Sequence, residues 1–104
     1  MSSDGMLDRA LHAIADPTRR RILQVLKERG ADAKAGTEKP VHGPCLCGGE
    51  IEQRIRLSQP TISHHMAILT KAGLVEATKQ GQWRWYRRNE RAIREVVKSL
   101  RGKL

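Results

Sequence analysis

Apolar positions along the chain recur at two different periods, and each period marks a different kind of element. Leu7, Leu11 and Ile14 fall at i, i+4 and i+7, which predicts a short amphipathic helix over residues 6–15. Asp16-Pro17 interrupts it. Asp is a good N-cap, and a proline at the first helical position gives up an N–H that has no partner there anyway. Ile22, Leu23, Val25 and Leu26 carry a second helix, which Gly30 is expected to close. Three arginines, Arg19 to Arg21, crowd its first turn against the macrodipole, and the nearby Asp8 and Asp16 are expected to offset them.

Residues 30–49 follow neither period. They hold five of the nine glycines and two of the four prolines, and read as an inserted loop of unusual length for a compact domain. Ile51, Ile55 and Leu57 then predict a short helix beginning near Glu50. Ser58-Gln59-Pro60-Thr61 opens the next one, with Ser58 as cap and Pro60 tolerated in the first turn. Ile62, Met66, Leu69 and Gly73 lie in one narrow arc of that helix. His64, Ala67 and Lys71 lie opposite, with Thr61 and Ser63 on the flanks. After Gly73 the period shortens to two. Strands are expected at Leu74–Thr78 and Gln82–Arg87 around a Lys79-Gln80-Gly81 turn, then a last helix from about Glu90 with Ile93, Val96, Val97 and Leu100 on one face. The order is α-α-α-α-β-β-α: a mainly α fold with a β-hairpin, one domain over residues 1–104 carrying the inserted loop.

Two helices joined tightly at Leu57–Pro60 form a helix-turn-helix candidate, whose second helix would meet the major groove with its N-terminal residues. Gln59, Thr61, Ser63 and His64 suit that role, since Gln bonds adenine bidentately while Ser and Thr serve several bases. His65 sits at the edge of the buried arc, where packing, phosphate contact and base reading are all open. A hairpin carrying Lys79, Arg84, Arg87 and Arg88 beyond it is the signature of a winged helix. Trp83 and Trp85 alternate with Arg84 and Tyr86, and a core role is expected for both tryptophans, because duplex DNA offers no exposed base faces.

Charge sharpens this reading. The 104 residues carry a net +9, split unevenly: residues 1–57 hold 10 basic and 8 acidic side chains, residues 58–104 hold 10 and 3. A polyanion is expected at the C-terminal half. The chain is too short for a deep enzyme cleft beside its core, and it lacks a Walker motif, HExxH, Gly-x-Ser-x-Gly and GxGxxG, so no enzyme is expected. No apolar run approaches a membrane span. Met1-Ser2-Ser3-Asp4-Gly5 lacks the start of a secretory signal, so a cytoplasmic protein with reduced cysteines is expected.

Ala13–Leu23 (AIADPTRRRIL), Leu57–Met66 (LSQPTISHHM), Ala72–Val75 (AGLV) and Gly81–Arg87 (GQWRWYR) together resemble the ArsR/SmtB-type bacterial transcriptional repressors. That resemblance covers everything except the 30–49 loop and the first few residues. It implies a nucleoid-associated homodimeric winged helix-turn-helix repressor on an inverted-repeat operator in double-stranded DNA, released by an inducer. Ser58, Gln59, Thr61, Ser63, His64, His65, Lys71, Lys79, Arg84 and Arg87 become the expected DNA-binding residues. The first and last helices become the dimer interface, through Leu7, Leu11, Ile14, Ile93, Val96, Val97 and Leu100.

Cys45-Leu46-Cys47 is similar to the family's Cys-x-Cys thiolate pair, a soft donor set suited to arsenite and heavy metals. Here Gly48-Gly49 intervene before Glu50-Ile51, which is expected to push the pair off the helix into the loop. His42 is a third candidate ligand. Soft metal or metalloid sensing, redox sensing and no sensory role remain open, as does a metal or metalloid buffer whose basic charge is incidental. The family's other metal site, on the last helix, lacks its His and Asp in Glu90–Leu100.

Overall fold

The computed structural model describes residues 3–29 and 45–104. Helices α1 (Ser3–Ile14) and α2 (Pro17–Arg29) precede a two-residue strand β1 (Leu46–Cys47). Helices α3 (Gly48–Ile55) and α4 (Gln59–Lys71), strands β2 (Val75–Gln80) and β3 (Trp83–Arg88), and helix α5 (Glu90–Lys103) follow. The expected α-α-α-α-β-β-α order holds, with one strand added. Gly30, His42 and most of the predicted loop lie outside the described residues.

Helix boundaries follow local chemistry. The N–H of Arg19 donates to Asp16 Oδ2 at 3.0 Å, the N-cap bond expected of that aspartate. Helix α4 buries Ile62, Met66 and Leu69 and ends in a Schellman motif. Gly73 adopts φ +80°, its N–H reaches Thr70 O at 3.0 Å, and Leu74 N–H reaches Leu69 O at 3.1 Å. Helix α3 ends differently. Arg56 occupies its left-handed position at φ 63°, where a glycine would sit without strain.

The arginine-rich start of α2 has more acceptors than the expected aspartates. Arg19 Nε donates to Ala13 O at 2.6 Å and its Nη2 to His12 O at 3.3 Å, while Arg20 Nη1 donates to Ile14 O at 2.7 Å. Two of the three guanidiniums therefore turn back onto the C-terminal carbonyls of α1, the negative end of that helix, and the Asp16 carboxylate, stabilised by the Arg19 charge, offsets part of the cluster as expected. Arg21 Nη2 lies 3.4 Å from Arg54 O in the last turn of α3.

The three strands form an antiparallel sheet in the order β1-β3-β2. In the hairpin Gln80 pairs with Trp83, leaving a two-residue loop, Gly81-Gln82. Gly81 takes φ +62° and Gln82 does not take a positive φ, the pattern of a type II′ turn. The turn therefore starts two residues later than predicted and keeps Gly81. On the other side of β3, Leu46 pairs with Tyr86 and Cys47 with Trp85.

That pairing overturns the expected position of the cysteines. Cys47 is the N-cap of α3, and the intervening Gly48 and Gly49 are its first helical residues rather than a spacer. The N–H of Cys47 donates to Glu50 Oε1 at 3.1 Å. Strand register puts Leu46 and Tyr86 in the main core with Ile22, Leu26, Ile51, Met66 and Val75. Cys45, Cys47 and Trp85 form a second small cluster. The expectation for Trp83 also fails: Trp85 is 5% exposed and Trp83 54%. Strand β1 covers β3 only opposite Trp85 and Tyr86, so the indole two residues earlier projects past its end.

Candidate nucleic-acid interface

Because the arc Ile62–Met66–Leu69 is buried, the other faces of α4 are turned outward. Ser58, Gln59, Thr61, Ser63 and His64 are all exposed, within the first two turns or at the cap. Ser58 Oγ lies 2.9 Å from Thr61 Oγ1, so the two hydroxyls hold each other. A cleft of about 510 Å³ brings Gln59, Ile62 and Ser63 of α4 together with Lys79, Gln82, Trp83 and Arg84 of the hairpin. The residues suited to base edges and those suited to phosphates thus share one surface. Gln82 and Trp83 were not among the expected residues, because starting the turn two positions early hid that Gln82 lies in it and Trp83 follows it.

Other expected residues sit elsewhere. Lys71 is exposed in the last turn of α4, beside Asp8, Arg9 and His12 of α1. Twelve residues separate it from Gln59, about 18 Å along the helix axis. Arg87 is engaged at the base of the hairpin, where its Nε donates to Glu76 Oε2 at 2.9 Å. Arg88 pairs with Glu90 and donates to Leu23 O at 3.2 Å. Lys79 and Arg84, paired across the strands nearer the tip, are exposed.

His65 is half-buried and faces inward, with Nδ1 3.2 Å from Arg19 Nη1. Burial holds its pKa below the ordinary 6.5, the Arg19 and His64 charges add to that, and Asp16 opposes it.

Cys45 and Cys47 are both buried. Burial pushes the Cys47 thiol above its ordinary value, and the Glu50 carboxylate adds to this while the Glu50 amide opposes it. Among the described residues no group of three His, Cys, Asp or Glu side chains could hold a metal ion. Two buried thiols, one of them disfavoured as a thiolate, do not fit a resident metal centre in this arrangement.

The apolar faces predicted for an interface divide. Leu7 is buried within the protomer, while Leu11 is exposed and Ile14 half-buried. Helix α5 packs on α1 yet buries none of its own residues completely. Ile93, Val96 and Leu100 are half-buried and Val97 is 51% exposed.

The family model for bacterial regulatory proteins of the arsR family matches residues 42–77, from before β1 into β2. An HTH-type transcriptional regulator of Methanocaldococcus jannaschii, MJ1325, is 38% identical over 83% of this chain and 81% of its own length. The chain belongs to the arsR family of bacterial regulatory proteins. The transcriptional repressor SdpR of Bacillus subtilis is 32% identical over 88% of this arsR-family chain and 84% of its own. A crystal structure of an ArsR-family transcriptional regulator superposes with a TM-score of 0.75 at 22% identity, covering 98% of this chain and 90% of that one. Arsenical-resistance regulators are also among the relatives, and one structural neighbour is a homodimeric winged helix-turn-helix domain. No helix among the described residues is long and apolar enough to cross a membrane.

Proposed function

We propose that this arsR-family chain is a cytoplasmic, sequence-specific DNA-binding repressor that acts as a homodimer on an inverted-repeat operator. The observation that carries the reading is the shared surface of α4 and the hairpin. Gln59 and Ser63 meet one cleft with Lys79 and Arg84, while Thr61 and His64 stand exposed on the same helix. Helix α4 enters the major groove and reads bases; Lys79 and Arg84 lie along phosphates and fix the register. Ser58 reaches the backbone at the helix start. Lys71 contacts phosphate from the far end of α4, and Arg87 does so only by leaving Glu76. Pairing through Leu11, Ile14, Ile93, Val96, Val97 and Leu100 presents two α4 helices to two half-sites, and Leu7 backs that face from within the protomer.

Selection of bound duplexes from a random pool, followed by gel-shift competition at a salt level that suppresses nonspecific binding, tests the proposal. An inverted repeat should emerge and outcompete random duplex. Equal affinity for every duplex would sink it.

A thiol-directed inducer is a second reading, favoured by Cys45 and Cys47 clustering with Trp85, directly across from the wing strand. The occurrence of arsenical-resistance regulators among the relatives supports it. The inducer is a visiting ligand, a soft metal or metalloid such as arsenite, or an oxidant, with His42 a candidate third donor. Because β1 is hydrogen-bonded to β3, anything that pulls the thiols out of their cluster acts on the wing. Titrating arsenite, cadmium or an oxidant into the protein–operator complex should release DNA from the parent and not from Cys45→Ser or Cys47→Ser. Unchanged release in both variants would remove the cysteines from the mechanism and leave a regulator with some other signal or none.

A further inference from the structure

Trp83 lines the cleft, with Glu52 and Tyr86 also on its wall, and is a large exposed side chain whose chemistry the repressor reading leaves unused. The hairpin would form without an indole at its tip, since the register is held by backbone pairing and the Gly81 turn. Its strand-mate Trp85 is covered by β1 and the cysteines, but β1 stops short of Trp83. The ring is therefore left half in solvent on the face that carries Trp85, while the directly paired Lys79 and Arg84 stand exposed on the hairpin's other face. No acidic residue occurs between Ala77 and Arg88. A hairpin tip that is apolar on one face and cationic on the other fits a groove with apolar walls and anionic edges.

Duplex DNA has such a surface: the deoxyribose walls of the minor groove, bordered by phosphates. Stacking on a base is not required, and an intact duplex offers no base face. We infer that Trp83 is a DNA-contacting residue of the wing. It packs its indole against the sugars flanking each half-site while Lys79 and Arg84, on the other face of the hairpin, hold phosphates. The inference rests on the repressor reading above. It adds an apolar, salt-independent share of affinity to a contact otherwise carried by charge and hydrogen bonds.

Affinities of the parent, Trp83→Ala, Trp83→Phe and Lys79→Ala are measured across a salt series on the duplex selected by the parent. Trp83→Ala should weaken binding about tenfold, as expected from leaving half an indole out of an interface, with an unchanged slope of log affinity on log salt. Trp83→Phe should recover most of the loss, and Lys79→Ala should flatten the slope by about one unit. Urea midpoints of the variants, matched to the parent, show that binding and not folding is read. Trp83→Ala binding within about twofold of the parent at every salt, or flattening the slope as Lys79→Ala does, overturns the inference while the repressor reading stands. A parent with no preference among duplexes overturns both.

Discussion

Arg19 Nη1 lies 3.2 Å from His65 Nδ1, joining the start of α2 to the outward-reading helix α4. The same guanidinium donates to Ala13 O and His12 O at the end of α1. One buried side chain therefore ties the proposed dimer helix α1 to the proposed recognition helix. Arg19→Ala should cost about 2–3 kcal/mol, the range for losing charge-assisted hydrogen bonds and orphaning the buried Ala13 carbonyl. Arg19→Lys should recover only part, because an ammonium cannot span acceptors on two elements with one planar fork. Urea denaturation gives the stabilities. A loss under about 0.5 kcal/mol, the level of an ordinary surface change, would mean the network is ornamental.

The same pair makes stability pH-dependent. His65 has its pKa depressed in the folded state, chiefly by burial and then by the Arg19 and His64 charges, against the pull of Asp16. The unfolded chain therefore takes up a proton before the folded one. The contribution of His65 is full above its ordinary 6.5 and is lost as pH falls below that value through the folded pKa. Asp16, lowered mainly by the Arg19 amide, behaves likewise in the window below 3.8. The urea midpoint should fall on acidification from neutrality, and His65→Gln should flatten that fall down to the carboxylate range. A His65→Gln profile parallel to the parent's would assign the pH dependence elsewhere.

Cys47 has the opposite sign. Its thiol pKa is raised, mainly by burial, so its contribution is present at neutral pH and is lost as pH rises past the ordinary 9.0 through the folded value. At neutral pH the native protein should be alkylated at least about tenfold more slowly than a free cysteine, because thiolate and access are both scarce. Denaturant should abolish the protection. Rapid alkylation of the native protein at both positions, followed by mass spectrometry, would contradict the closed cluster with Trp85.

Arg56 holds the left-handed cap of α3 without being glycine. Arg56→Gly should stabilise by about 0.5–1 kcal/mol, the relief of the left-handed cost less the added freedom of the unfolded chain. Arg56→Val, branched at Cβ, should destabilise by about 1 kcal/mol or more. Thermal melts decide, and a Gly variant less stable than the parent would mean that the arginine side chain contributes more than its backbone strain costs.

These residues mark what the sequence makes legible. The Ile62–Met66–Leu69 arc, the Asp16 cap and the Gly73 terminus are local, each decided by neighbours three or four positions away, and each is found where periodicity puts it. The cysteines and tryptophans are not local. Cys47 is fixed by pairing with Trp85 across the intervening helices, and the same short pairing decides that Trp85 is buried and Trp83 is not. Alternation along β3 cannot reveal a strand of two residues on its far side. Arg19 escaped for a related reason: two of its partners are carbonyls, which every sequence contains and no side-chain pattern reveals.

Helix α5 supplies the last prediction. A helix that packs on α1 while burying none of its residues has apolar surface left over, and Val97 at 51% exposure stands on that surface. If a second copy covers it, a charge at Val97 costs the protomer little and the dimer a great deal, since an unpaired charge would be buried only on association. Val97→Glu should therefore keep helical circular dichroism but shift sedimentation from dimer to monomer. Operator affinity should then fall by more than about tenfold, the least expected when two linked half-site contacts become one. Leu100→Glu, at a half-buried position on the same face, should dissociate the dimer with a larger loss of protomer stability. A Val97→Glu protein that sediments like the parent would place the pairing surface away from α5. The apolar face of that helix would then need another explanation.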